Sequence, residues 1–183
     1  RSRPGRVRYV FRPPADVAAG LLTLPWHLPL EEWQDDRLVE IRNRGTSRHV
    51  VRFVNELGRL YALKEINEPL ARREYRLLRR LDDLGIPAVQ PLGIVVDRGP
   101  YRGVQLDAVL CTCFLEYSTT YRALYSDPHR LRPTDRLLDA LVELLVRLHL
   151  AGFFWGDCSL SNTLFRLDAG ALQAIFVDAE TSE

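Results

Sequence analysis

Tyr61-Ala62-Leu63-Lys64-Glu65-Ile66 closes an apolar-alternating run that reads as a β-strand, and its lysine is the only one among 25 basic residues. A chain this rich in arginine places Arg wherever a cation of any shape will serve. An ammonium is a compact, rotatable point charge, whereas a guanidinium is a wide planar fork. Lys64 therefore marks a position that calls for the smaller head. Downstream, Asn67 and Pro69 are suitable helix starts, and Leu70, Leu77, Leu78, Leu81 and Leu84 recur at helical spacing before Gly85-Ile86-Pro87 ends the run. Glu74 lies in the middle of that stripe. A carboxylate on a core-facing stripe needs a cation or must stay neutral, and Lys64 on the preceding strand is the obvious partner. The alternative is a helix rotated so that Glu74 reaches the rim.

Working outward, residues 38–41 and 50–54 read as two earlier strands, with a turn at Glu56-Leu57-Gly58 leading into the strand of Lys64. Strands follow around residues 93–96 and 108–115, and short turns imply an antiparallel meander. Residues 116–120 read as a connector. After Pro133-Thr134 comes the strongest helix, with Leu137, Leu138, Leu141, Val142, Leu144, Leu145 and Leu148. It is apolar over so much of its surface that it is expected to be buried. Leu164-Phe165 and Ile175-Phe176-Val177 are two short strands around an Ala-Gly turn. Residues 1–30 mix Arg, Pro and short apolar stretches, with Trp26, Leu28, Leu30 and Trp33 expected to staple this segment onto the following domain. The predicted organisation is an N-terminal arm and packing segment (1–37), a five-stranded antiparallel lobe with one inserted helix (38–117), and a partial helical lobe (118–183).

With 183 residues and 46% apolar content, the chain can bury one sizeable core, split at most into two small lobes. A formal net charge of +1 gives no global reason to expect nucleic acid. Arg1, Arg3, Arg6, Arg8 and Arg12 crowd the start, and a solvated terminus explains them better than a phosphate-binding arm. Three cysteines without CxxC spacing argue against a disulfide framework or a zinc site. No apolar run approaches the ~20 residues of a membrane span. The expected location is the cytoplasm.

Two further clusters carry chemistry. In Gly156-Asp157-Cys158-Ser159-Leu160-Ser161-Asn162, an Asp and an Asn five residues apart share a tight loop between a helix and a strand. Asp157 is suited to accept a hydroxyl proton, and the Asn162 amide oxygen to bind a metal. Taken alone, an ordinary Asx turn would explain the spacing. In Val177-Asp178-Ala179-Glu180 an acidic residue stands where a strand leaves the core, and hard oxygen ligands there suit Mg²⁺.

In order, these pieces resemble the protein-kinase-like fold over roughly residues 38–183. Gly152-Phe153-Phe154-Trp155-Gly156-Asp157 looks more like the H-G-D loop of bacterial small-molecule and lipopolysaccharide kinases than the H-R-D of protein kinases. The sequence is most similar to an uncharacterised bacterial kinase-like family that itself resembles lipopolysaccharide (Kdo/WaaP-type) kinases. The resemblance implies an α+β fold, ATP and Mg²⁺ as cofactors, and a phosphate acceptor it does not name. By it, Lys64 holds the α/β-phosphates and pairs with Glu74, Asp157 is the catalytic base, and Asn162 and Asp178 bind the metal. Glu116 and Tyr117 belong to the hinge whose backbone meets adenine. Gly45 and Ser47 lie in the loop expected to cover the phosphates.

The chain departs from the pattern at several points. That loop, Arg42-Asn43-Arg44-Gly45-Thr46-Ser47-Arg48-His49, has one glycine, so backbone approach to phosphate rests on Arg44, Ser47 or Arg48 as well. Trp155 replaces the loop histidine, and an indole cannot accept a hydrogen bond. Ala179 replaces an aromatic residue, and Glu180 offers a second carboxylate. Kinase-like lobes continue well beyond the metal-binding Asp, so a further C-terminal part of the same polypeptide is expected. The leading expectation is a phosphotransferase acting on a small molecule, sugar or lipid head group. The alternative is a pseudokinase, a nucleotide-binding or scaffolding module.

Overall fold

The alternation around Lys64 becomes the centre of an antiparallel sheet in the computed structural model, which describes residues 7–11, 15–41, 49–115, 118–121, 124, 134–156, 158–159, 162–168 and 171–177. The strands are β1 (Arg8–Phe11), β2 (Leu38–Val39), β3 (Val50–Glu56), β4 (Arg59–Ile66), β5 (Pro91–Val96), β6 (Pro100–Tyr101), β7 (Val104–Gln105), β8 (Ala108–Cys113), β9 (Ser118–Thr120), β10 (Thr163–Asp168) and β11 (Ala171–Phe176). The helices used below are α1 (Ala15–Leu22), α2 (Glu68–Asp83) and α3 (Thr134–Leu150), with a short 3₁₀ turn at Leu30–Glu32. The chain divides into two compact units, Arg1–Arg42, Thr46–Tyr75 and Gln90–Phe114 in the first, and Asn43–Gly45, Arg76–Val89 and Leu115–Glu183 in the second. The division falls within α2.

The first unit holds a six-stranded antiparallel sheet in the order β1-β5-β8-β4-β3-β2. The sequence led us to expect five strands. The sixth is β1, which pairs with β5 at the edge, Tyr9 opposite Val95. Its alternation was hidden because Arg8 and Val10 are exposed beside a half-buried Tyr9, so no apolar run announces it. The β3–β4 hairpin turns on Leu57 and Gly58, both at positive φ (52° and 78°), as a two-residue turn matching strand twist requires.

One face of this sheet is covered by residues 15–33. Val17, Leu21, Leu24, Trp26, Leu30 and Trp33 pack against Val54, Tyr61, Leu63, Val95, Val109 and Cys111 in a single apolar cluster. Trp26 meets Trp33 edge-on at 5.1 Å, and each indole N–H donates to a backbone carbonyl, Leu21 at 2.8 Å and Leu28 at 3.0 Å. The expected staple is therefore present, with α1 as an element that Pro13-Pro14 and Pro25 had obscured.

Two polar devices hold that segment. Arg37 forks onto Asp35 (2.8 Å to each oxygen) and reaches the Gly20 carbonyl at 2.9 Å and Glu56 at 3.1 Å. The Arg37 hydrogen bond keeps the Asp35 carboxyl below its ordinary range. A Cβ at Gly20 would lie 2.0 Å from a Glu56 carboxylate oxygen, so a side chain there would displace the Glu56 carboxylate from its place beside Arg37. The second device is Arg98, whose side chain is fully buried. It pairs with Glu65 and donates to the carbonyls of Trp26 (2.8 Å), Asp107 (2.8 Å) and Leu28.

The second unit contains the three-stranded sheet β11-β10-β9 and α3, which packs on β11. The expected hairpin is β10–β11, with Leu164 opposite Ile175. β9 falls in the stretch read as a connector, because Ser118-Thr119-Thr120 carries no apolar signal and gains its strand partners only from β10. Helix α3 is also not buried all round. Leu137, Ala140, Leu144 and Leu148 are buried, whereas Leu138, Val142, Val146 and Leu150 are exposed, because β11 covers one side only.

Candidate active site

Pleating decides what Lys64 meets. On β4, Tyr61, Leu63 and Glu65 point toward the covering segment of residues 15–33, so Ala62, Lys64 and Ile66 point to the opposite face. Lys64 is flanked in register by Val51 on β3 and Leu110 on β8, away from either sheet edge. Helix α2 starts one residue after the strand ends. Asn67 caps it, its side-chain oxygen accepting from the Leu70 N–H at 3.1 Å, and Glu68 pairs with Arg72 one turn on. The cap sets the helix phase that turns Ala71, Glu74, Leu78 and Leu81 inward, all buried. Leu84, expected on the same stripe, is exposed because the helix has ended.

The result is an ion pair. Lys64 Nζ donates to Glu74 Oε2 at 3.2 Å, with the lysine side chain 15% and the carboxylate side chain 3% exposed. The rim alternative for Glu74 is excluded by that burial.

In the second unit, α3 ends in a Schellman motif. Gly152 takes positive φ (78°), its N–H donating to His149, while the Phe153 N–H reaches back to Leu148 at 2.9 Å. This reversal delivers Trp155 into the core, edge-on to Phe176 at 4.7 Å. The Trp155 indole N–H has no partner among the described residues. Phe176 ends β11 and is itself fixed by hydrogen bonds with Pro87 and Val89, both 3.0 Å. After Gly156, Ser159 shapes the described part of the loop. The Ser159 carbonyl accepts from the Asn162 N–H at 3.1 Å and from the buried Thr163 hydroxyl at 2.9 Å. Asn162 thus sits half-buried at the mouth of β10.

Of the residues singled out in the sequence, the structure brings Lys64 and Glu74 together and places Asn162 at a strand entrance. Asp157, Asp178, Gly45, Ser47, Glu116 and Tyr117 lie outside the described residues. Sequence reasoning missed the pair of Arg98 and Glu65, which lies on the face of the sheet opposite to Lys64. Glu65 is adjacent to Lys64, so the period-two rule alone could have sent it to the other face.

A profile of the lipopolysaccharide kinase (Kdo/WaaP) family matches residues 35–183. The chain belongs to that family. No curated protein matches it. Membership in the Kdo/WaaP kinases makes the chain a kinase-like phosphotransferase relative, and the match spans Lys64, Glu74 and Asn162. It begins after residues 15–33, so the segment covering the sheet lies outside the matched residues. Among the described residues, no helix is long and apolar enough to cross a membrane.

Proposed function

We propose that this protein is an ATP- and Mg²⁺-dependent phosphotransferase whose acceptor is a small molecule, a sugar or a lipid head group. The observation that carries the reading is the Lys64–Glu74 pair. A buried carboxylate fixes a partly exposed ammonium on one sheet face, and an ammonium so held is a compact cation suited to phosphate oxygens.

In this reading Lys64 would hold the α- and β-phosphates, with Glu74 fixing its direction. Asn162 and Asp178 offer the hard oxygen donors that Mg²⁺ prefers. Asp157 would accept the proton of the acceptor hydroxyl as its oxygen becomes a nucleophile. Backbone groups of Glu116 and Tyr117 would meet the adenine, and Gly45 and Ser47 would close over the phosphates. Bound Mg·ATP supplies the electrophilic phosphoryl group, and the chain's own residues supply position and charge.

The test is Asp157→Ala, assayed by ATP turnover against sugar and lipid head-group acceptors and by thermal unfolding with Mg·ATP. Turnover is expected to fall by roughly 10²–10⁴-fold. Stabilisation by Mg·ATP at a hundred times its Kd, about 2.7 kcal/mol, is expected to persist. Wild-type turnover in the variant would refute the assignment of Asp157. A wild-type protein that Mg·ATP does not stabilise would refute the nucleotide site.

A further inference from the structure

Three residues given chemical roles above are each reached within one or two residues from a single aromatic contact in the second unit, that of Trp155 with Phe176. Across the β10–β11 ladder Phe176 stands opposite Thr163, the residue after Asn162. Asp178 comes two residues beyond Phe176, and Asp157 two beyond Trp155. The two rings meet edge-on, with centroids 4.7 Å apart and planes at 71°, and both are buried. Two residues of chain span at most about 7 Å, so the Cα of each aspartate lies within that reach of its ring-bearing neighbour.

The couplings at this point differ in kind. The stretch from Asn162 into β10 and the end of β11 are tied by the ladder, and Thr163 also donates its hydroxyl to the Ser159 carbonyl at 2.9 Å. Backbone ties of this sort survive a change of side chain at Phe176. The segment leading to Asp157 arrives by another route, from α3 through the reversal at Gly152, and it meets the end of β11 through the Trp155 ring. The indole N–H has no partner among the described residues, so the ring edge makes this contact and not a hydrogen bond. A side chain that cannot accept a hydrogen bond, standing in place of the loop histidine, thus holds the loop by its flat apolar surface.

We propose that Trp155 is a positioning residue: by resting edge-on against Phe176 it sets the separation between the proton acceptor Asp157 and the metal donors Asn162 and Asp178. The inference rests on the phosphotransfer reading above. With the contact removed, Mg·ATP still finds Lys64, Asn162 and Asp178, but the base no longer stands where the acceptor hydroxyl presents its proton. A misplacement of about 1 Å can cost on the order of 10²-fold in rate. A residue that only filled the core would alter stability and leave the chemistry of the folded molecule unchanged.

The test measures ADP release from Mg·ATP by the full chain with the sugar and lipid head-group acceptors, alongside thermal unfolding with and without Mg·ATP. Trp155→Leu is expected to lower turnover by about 10- to 10²-fold while the Mg·ATP thermal shift stays as in the wild type. Trp155→Phe keeps a ring edge for Phe176 and is expected to remain within about threefold of wild-type turnover. Phe176→Leu removes the same contact from the other side and is expected to match Trp155→Leu. The double variant is expected to lose little more, because one contact is lost only once. Circular dichroism identifies the folded variants, and Phe176→Leu carries the test if Trp155→Leu does not fold. Wild-type turnover in either folded Leu variant, a lost Mg·ATP shift, a Trp155→Phe no more active than Trp155→Leu, or losses that multiply in the double variant would each overturn the proposal. A wild-type chain that Mg·ATP does not stabilise refutes the nucleotide site itself and takes this inference with it.

Discussion

Glu74 is 3% exposed, a depth at which a carboxylate needs a cation, and the chain's single lysine reaches it at 3.2 Å. Lys64→Arg separates the structural share of this pair from the functional one. A guanidinium can still satisfy Glu74, so the variant is expected to melt within a few degrees of the wild type. Its wider fork is unsuited to hold phosphate in the same place, and turnover is expected to drop by about 10²-fold or more, with the Mg·ATP thermal shift much reduced. Unchanged turnover in a correctly folded variant would remove Lys64 from the phosphate site. The pair was legible in the sequence because a charge on an apolar stripe demands an answer and only one nearby residue gave it. Arg98 was not legible. It stands in Asp97-Arg98-Gly99-Pro100, which has the composition of a solvated turn, and what buries it are carbonyls of Trp26 and Leu28, some seventy residues earlier.

Elements show the same division between local and distant causes. Strand β4 carries its own alternation and β3, β5 and β8 their own apolar runs, and their existence could be read directly. β1 and β9 are strands because a neighbour supplies the hydrogen bonds, and neither Arg8-Tyr9-Val10 nor Ser118-Thr119-Thr120 announces that. α3 was recognised as a helix but not as a half-exposed one, since periodicity records apolar faces and not what covers them. Residues 15–33 depend on Arg98 in turn. Arg98→Leu strips Glu65 of its buried cation and removes a donor from the carbonyls of Trp26, Asp107 and Leu28, and this is expected to cost roughly 3–5 kcal/mol. Denaturant titration followed by tryptophan fluorescence measures the loss, because Trp26 and Trp33 lie in the affected cluster. A loss below about 1 kcal/mol, the level of an exposed pair, would show that the burial of Arg98 is incidental.

Across the whole molecule, the three thiols report on different depths. Cys111 is fully buried in the core of the first unit, and burial pushes its thiol well above the ordinary range. Cys113 is half-buried and Cys158 exposed. Alkylation read by mass spectrometry is expected to modify Cys158 quickly in the native protein and Cys111 only through opening of the first unit. The marginal stability of small domains implies protection of Cys111 by at least about 10³-fold. Rapid native labelling of Cys111 would show that the cover formed by residues 15–33 comes away readily. The overall α+β class, the kinase family and the Lys64–Glu74 pair were visible in sequence, because those features are spaced along the chain. The third dimension of the first unit was not, because its core joins residues 15–33 to strands as far away as β8.

The family match and the packed core thus begin at different residues. The matched stretch opens at Asp35, yet Tyr61, Leu63, Val95 and Val109 are kept dry by side chains that precede it. Trimming to residue 35 would bare a greasy sheet and leave Arg98 and Glu65 facing water, so the earlier segment is as much a part of the working body as the residues it shelters.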